Sequence, residues 1–156
     1  MNELDDVLAR RLAAIFALDL EITAHANPPE SVDDLPAALV MEFSGDMSKA
    51  GYRGLHEATM TARVLLLAAL RGREGLPIAM GRTRALVGRA VSLLWTHDEL
   101  AATTGDDPIA EITQVQWREA KIEYAGVDFS GAEITVKMRV DWQMVYGSGP
   151  VGTAPP

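Results

Sequence analysis

The apolar positions of this chain change period several times, and each change marks an element. Leu4, Val7, Leu8, Leu12 and Ile15 recur at helical spacing and predict a helix over residues 2–16. Asn2 is placed to cap it, and Glu3, Asp5 and Asp6 suit the positive end of its dipole. Leu20 and Ile22 then alternate with polar neighbours, predicting a short strand that stops before Pro28-Pro29. Residues 27–36 are rich in Pro, Ser and Asp and read as loop. AALVMEF, 37–43, reads as a second strand. SGDMSKAGYRGLHE, 44–57, holds three glycines and no clear period, and reads as a long loop.

A third strand is predicted over 58–70. It alternates at first and becomes continuously apolar from Val64, which predicts cover on both faces. Residues 71–81 read as a Gly/Arg linker. The strongest helical pattern follows over 82–100, where Leu86, Val87, Ala90, Val91, Leu93 and Leu94 form one broad apolar face. A fourth strand is predicted over 112–124. Its apolar positions change parity between Trp117 and Ala120, predicting a bulge near Arg118-Glu119. Residues 127–131 read as the turn into a fifth strand over 133–146.

That last strand contains ITVKMRVDWQMVY, with every even position from Ile134 to Tyr146 apolar. At roughly 3.3 Å per residue the run would extend about 40 Å. A compact domain of this size has a radius of gyration of only about 15 Å. The even face, Ile134 to Trp142, is expected to anchor both helices. The other face, with Lys137, Arg139 and Asp141, is a candidate for a neighbouring subunit or the lumen of a tube. GSGPVGTAPP, 147–156, reads as a flexible tail. The order of elements predicts one α+β domain over 1–146, a mostly antiparallel sheet of about five strands with two helices packed on one face.

Composition narrows the function. Apolar residues make up 48% and charged residues 23%, a globular balance. The net charge of −8 argues against general nucleic-acid binding and against adhesion to anionic lipid. With no cysteine, disulfides, thiolate catalysis and zinc–sulfur sites are excluded. MNELDDVLARRL carries acids where a signal peptide needs positive charge, and no window approaches the roughly 20 apolar residues of a membrane span. A soluble, unexported protein is expected.

Candidate chemistry adds little. His25, His56 and His97 stand far apart, and none sits at metal-ligand spacing. Ser44 and Ser130 each occur in FSG, which lacks the flanking glycines of a nucleophile elbow. The acidic pairs Asp5-Asp6, Asp33-Asp34 and Asp106-Asp107 fall at a helix start or in loops, where solvated acids are ordinary. GRTRALVGRA, 81–90, has neither the lysine of a phosphate loop nor GxGxxG spacing. The expectation is a protein with no catalytic residues, cofactor or metal.

The surface pattern points to assembly. Residues 1–57 carry 11 acids and 4 bases, 58–105 carry 3 acids and 6 arginines, and 106–156 carry 8 acids and 4 bases. A positive middle between negative ends suits head-to-tail contact between identical subunits. Arg82 and Arg84 stand at the predicted start of the second helix, where its dipole disfavours cations. The back of that helix, Ala85, Gly88, Ser92 and Thr96, is small where an idle surface carries Glu, Lys and Arg. It is expected to pack against another element, in this chain or a neighbour. In loop 44–57, Lys49, Tyr52 and Arg53, with Met47 and His56, could dock on a partner. The candidate interface residues are therefore Lys49, Tyr52, Arg53, Arg82, Arg84, Gly88, Ser92, Lys137, Arg139 and Asp141.

LARRLAAIFALDLEITAHANPPESVDDLPAALVMEF resembles the opening of tail terminator proteins of long-tailed bacteriophages and of phage-like gene transfer agents. The resemblance lies in arrangement over about residues 1–146: a helix, a short strand, a Pro-rich loop, an apolar strand of the LPAALV kind, then strand, helix and two closing strands. It implies a structural ring, usually of six, that caps the tail tube and meets the head connector or stopper protein. It also implies partners in the tube protein and in further copies of the chain, DNA passing through the ring without sequence-specific contact, and a place in the virion tail or neck after assembly in the host cytoplasm. Two other readings stand beside it: a different neck or tail-completion protein, and a small α+β dimer that binds a small ligand on its sheet or at a subunit seam.

Overall fold

The computed structural model describes residues 3–49, 56–72, 75–100 and 109–140. The elements are α1 (Glu3–Phe16), β1 (Thr23–His25), β2 (Ala37–Lys49), β3 (His56–Leu70), α2 (Leu76–Thr96), β4 (Ala110–Tyr124) and β5 (Val127–Val140). The strands form one five-stranded sheet in the order β1-β2-β3-β5-β4. β1 runs parallel to β2, and the other neighbours are antiparallel. Both helices pack on one face of this sheet, so the fold is α+β.

Alternation along the strands gives the sheet two different faces. Val64 and Leu66 of β3 and Ile134, Val136 and Met138 of β5 point to the helix side. There they are buried with Leu8, Leu12 and Phe16 of α1 and Leu86, Ala90 and Leu94 of α2. Each such side chain contributes roughly 1.5–3 kcal/mol by leaving water. The opposite face carries a smaller cluster at one end: Ala37, Leu39, Leu65, Leu67, Ile122 and Phe129. Val32 and Leu35 of the 26–36 loop pack onto it, and the Tyr124 hydroxyl donates a hydrogen bond to the Pro29 carbonyl. The rest of this face is open and polar. The continuous apolar run from Val64 thus has the two-sided cover it implies. The Leu35–Pro36 peptide bond in this loop is cis.

The second cluster also explains the parity change in β4. No bulge lies near Arg118-Glu119, because the β4–β5 ladder runs unbroken from Gln114 to Tyr124. The irregularity falls earlier, between Ile112 and Gln114. The strand keeps its register while the core changes sides: Ile112 and Val115 belong to the helix-side cluster, and Ile122 and Tyr124 to the opposite one.

Other boundaries differ from expectation for local reasons. The first strand is Thr23–His25, fixed by parallel pairing with Ala37–Leu39, whereas Leu20 lies in the preceding turn and is 95% exposed. Residues 44–49 continue β2 and 56–57 open β3, so the predicted long loop is largely hairpin ladder, paired out to Lys49 and His56. Gly45 is no turn signal there. It lies opposite Met60, and a Cβ on it would stand 2.4 Å from the Met60 sulfur. A register shift between Val40 and Phe43 further hides the alternation.

α2 begins six residues before the predicted start, with Gly75 as N-cap and a proline in its first turn. Arg82 and Arg84 therefore lie beyond the first turn, and the dipole cost assigned to them does not arise. The turn into β5 is Ala125-Gly126, both with positive φ, rather than 127–131. Two residues of positive φ fit the tight hairpin turn whose twist matches the flanking strands. Finally, β5 anchors α2, whereas α1 rests on β1 and β2 and against α2. The strand is described to Val140, so Trp142, Met144 and Tyr146 lie outside the described residues.

Candidate functional site

α2 buries one side and leaves an ordered stripe on the other. Ile78, Gly81, Ala85, Gly88, Ser92 and Trp95 are all exposed. Their spacing, three then four residues in alternation, is that of a seam along one side of a helix. No charge interrupts it. Gly81 and Gly88 have open space where a Cβ would stand, so the seam is a shallow trough in the middle with Ile78 and Trp95 raised at its ends. Ala85, Gly88 and Ser92 also line a depression bounded by Asp19, Arg84, Arg89 and Leu93.

Among the described residues, eight large apolar side chains are exposed; Ile78 and Trp95 stand on the seam, and Leu18 and Leu20 flank Asp19, which borders it. Leu76, Ile78, Met80 and Trp95 are on α2. Leu18 and Leu20 are on the α1–β1 turn, which the Asp19–Arg89 ion pair (2.6 Å) ties to the helix. The Asp19 carboxyl also accepts the Glu21 backbone N–H at 3.0 Å. That bond, with the Arg89 guanidinium beside it, holds the Asp19 carboxyl below its ordinary range. A clustered apolar surface of this kind marks an interaction site, whereas single exposed residues need no explanation.

The predicted interface residues fall into two groups on opposite sides of the sheet. Arg82, Arg84, Gly88 and Ser92 stand together on the exposed side of α2. Arg84 reaches Glu119 of β4 at 3.3 Å, an exposed pair. Lys137 and Arg139 are exposed on the open polar face, and Arg139 pairs with Glu111 at 2.7 Å. The structure does not bring these groups together. Lys49 ends β2. Tyr52, Arg53 and Asp141 lie outside the described residues.

Local pattern does not single out Arg63, the centre of the open face. It donates to Glu42 through Nε (2.5 Å) and Nη2 (3.0 Å), and to Glu133 through Nη1 (3.1 Å), linking β2, β3 and β5. The Arg63 bonds hold the Glu42 carboxyl below its usual range, and the two carboxylates raise the arginine. Leu20, Ile78 and Trp95 were also missed. Ile78 and Gly81 lay in a presumed linker, and the tertiary bond joining Leu20's turn to α2 leaves no trace in local pattern.

No catalytic arrangement converges among the described residues. Ser44 lies opposite Thr61 and Ser130 opposite Ala69, far apart along β3. His25 is on β1 and His97 caps α2. Among the described residues no group of three or more His, Asp or Glu could hold a metal. A half-open groove of about 420 Å³ lies between α2 and the end of β3, floored by Leu35, Pro36, Ala68 and Leu86 with Glu21, Arg82 and Arg89 at its rim. Among the described residues no helix is long and apolar enough to cross a membrane. Comparison with known protein families and with curated proteins finds no match to this chain.

Proposed function

We propose that this chain is a self-assembling structural subunit of a phage-type particle, a tail terminator whose ring caps the tail tube and meets the head connector. The observation that carries the reading is the α2 seam: an exposed, uncharged stripe of small residues with Ile78 and Trp95 at its ends and Leu18 and Leu20 on the neighbouring turn. A lone domain gains nothing from such a surface, and a copy of itself is the partner available to every subunit. The element order agrees with the tail terminator arrangement, and the open polar face with Lys137 and Arg139 remains for the tube or the connector. The groove beside α2 favours a small-ligand protein less, because Arg89 at its rim is already ion-paired to Asp19.

The test is the mass of the assembly in solution and its image by electron microscopy, with and without tail tubes. Rings from the wild-type chain are expected. Gly88 has open space around it, so Gly88→Arg should fold normally and fail to assemble. A chain that stays monomeric at high concentration and ignores tail tubes would sink the reading.

A further inference from the structure

We infer that the free edge of β4 in one copy pairs with the free edge of β2 in the next, so that one sheet continues from copy to copy. This rests on the self-assembly reading and adds a contact separate from the α2 seam. Backbone pairing and charge carry it independently.

β4 is the last strand in the order β1-β2-β3-β5-β4, and among the described residues no strand pairs with its outer side. Its ladder with β5 runs unbroken from Gln114 to Tyr124, and β4 contains no proline to blunt the edge. On the other side of the sheet, β1 covers β2 only over Ala37–Leu39. From Phe43 to Lys49 the outer side of β2 has no strand partner among the described residues. Each edge therefore presents a row of unpaired N–H and C=O groups that another strand satisfies. β3 and β4 run in one direction, and β2 runs against both. A copy placed alongside with its helices on the same side thus sets its β2 antiparallel to β4, the pairing used inside the sheet.

Charge selects this pairing over the symmetric ones. Arg118 is exposed on the open polar face of β4, and Glu133, opposite it in the ladder, bonds Arg63 instead. Asp46 is exposed on the same face at the far edge, in line with Thr59 and Arg139. Among the described residues neither Arg118 nor Asp46 has an ion-pair partner. Along its face of β2, Asp46 follows Glu42 and Ser44, so this edge is acidic. Two β4 edges joined about a two-fold axis would set Arg118 near Gln116, Ala120 or a second Arg118, with no free carboxylate, since Glu111 is held by Arg139. Two β2 edges would set acid against acid. The crossed pairing alone brings Arg118 to Asp46, and opposite charges on one face of neighbouring strands attract. It also covers Trp117, which is 52% exposed on the helix side of the β4 edge, opposite Ile134. Each copy then offers a different edge to each neighbour, which closes a ring or continues as a filament.

The experiment uses full-length Arg118→Glu, Asp46→Arg and the double variant, compared with wild type by analytical ultracentrifugation at about 0.1 M salt, where surface charge is only partly screened. Wild type should associate, and each single variant should associate at least tenfold more weakly. The two singles mixed in equal amounts should regain association, as should the double variant alone, because opposite charges then meet at every joint. Thermal melting of each variant must match the wild type. If a reversal folds poorly, Arg118→Cys/Asp46→Cys serves instead, since the chain has no other cysteine. Its two sites are at least three strand spacings apart, about 14 Å, whereas a disulfide needs Cα atoms within about 7 Å. Oxidation should therefore give covalent trimers and longer chains. Single variants that associate like wild type would overturn the edge pairing and leave self-assembly standing. So would a mixture and a double variant as weak as the singles, or oxidation that stops at dimers. A wild type that never associates removes both.

Discussion

Gly131 of β5 and Leu66 of β3 approach so closely that a Cβ on Gly131 would stand 1.9 Å from the Leu66 carbonyl oxygen. The irregularity in β3 between Leu67 and Ala69 sits beside this contact, so the two backbones close on each other where the ladder is distorted. Glycine is required here for space alone, as no positive φ is involved. Gly131→Ala must push β3 and β5 apart in the middle of the sheet. A loss of about 1–3 kcal/mol is expected, the range for overpacking a filled interior, with urea unfolding as the measurement. Unchanged stability would mean that the ladder opens there without cost.

Gly88 is the opposite case. A Cβ there meets nothing within 4 Å, and the residue is interior to α2. Gly88→Ala should stabilise the isolated subunit by about 0.5–1 kcal/mol, the difference in helix propensity. A glycine retained at that cost is consistent with a seam that needs close approach. Thermal melting at low concentration, where assembly does not contribute, checks the sign.

The two faces of the sheet explain why the core was legible in the sequence and several boundaries were not. Ile134, Val136 and Met138 are buried and Lys137 and Arg139 exposed, as strict alternation requires. Gly45 and Gly81 misled because glycine signals a turn only when nothing else explains it. One lies beneath a methionine, and the other lies in the open seam of α2. The small back of α2 was visible as composition, but its full length depended on where the helix begins, which Gly75 and the first-turn proline decide. Arg63, joined to Glu42 and Glu133 from two other strands, depends on register and could not be read from any single segment.

Tyr124 holds the acidic loop. Its hydroxyl donates to Pro29 while its ring packs on the second cluster, and this burial pushes the phenol upward from its ordinary pKa. Tyr124→Phe keeps the ring and removes the bond. A cost of about 1 kcal/mol is expected. Limited proteolysis should show faster cleavage within 26–36, since the loop loses its link to β4. Equal cleavage rates would assign the loop's order to Val32 and Leu35 alone.

Asp19 makes the α1–β1 turn sensitive to acid. Its carboxyl sits below the ordinary 3.8 because it accepts the Glu21 N–H and pairs with Arg89. A depressed folded pKa contributes stability that is present above the unfolded value and lost as pH falls through the folded one. Asp19→Asn should therefore be less stable than wild type by about 1 kcal/mol at pH 7, with the difference shrinking as pH falls below the ordinary 3.8 and through the folded value. Paired urea titrations at several pH values measure it, because carboxylates common to both chains cancel. A constant difference down to pH 2 would mean that the turn is held by packing rather than by the ionised carboxylate.

Trp95 and Ile78 separate assembly from folding. Both are exposed, at 45% and 55%, at opposite ends of the α2 seam, and neither belongs to the buried cores. Trp95→Glu and Ile78→Asp should leave subunit stability within about 0.5 kcal/mol, as surface changes usually do. A charge placed in the seam should nevertheless weaken self-association at least tenfold, which corresponds to about 1.4 kcal/mol. Lys137→Glu/Arg139→Glu, on the other side of the sheet, should leave subunit association intact and alter only contact with a tube or connector. Sedimentation and tube co-pelleting on the same samples give both readouts. If the open-face pair disrupts rings while the seam variants do not, the subunit contact belongs to the polar face of the sheet and α2 is left as an outer wall.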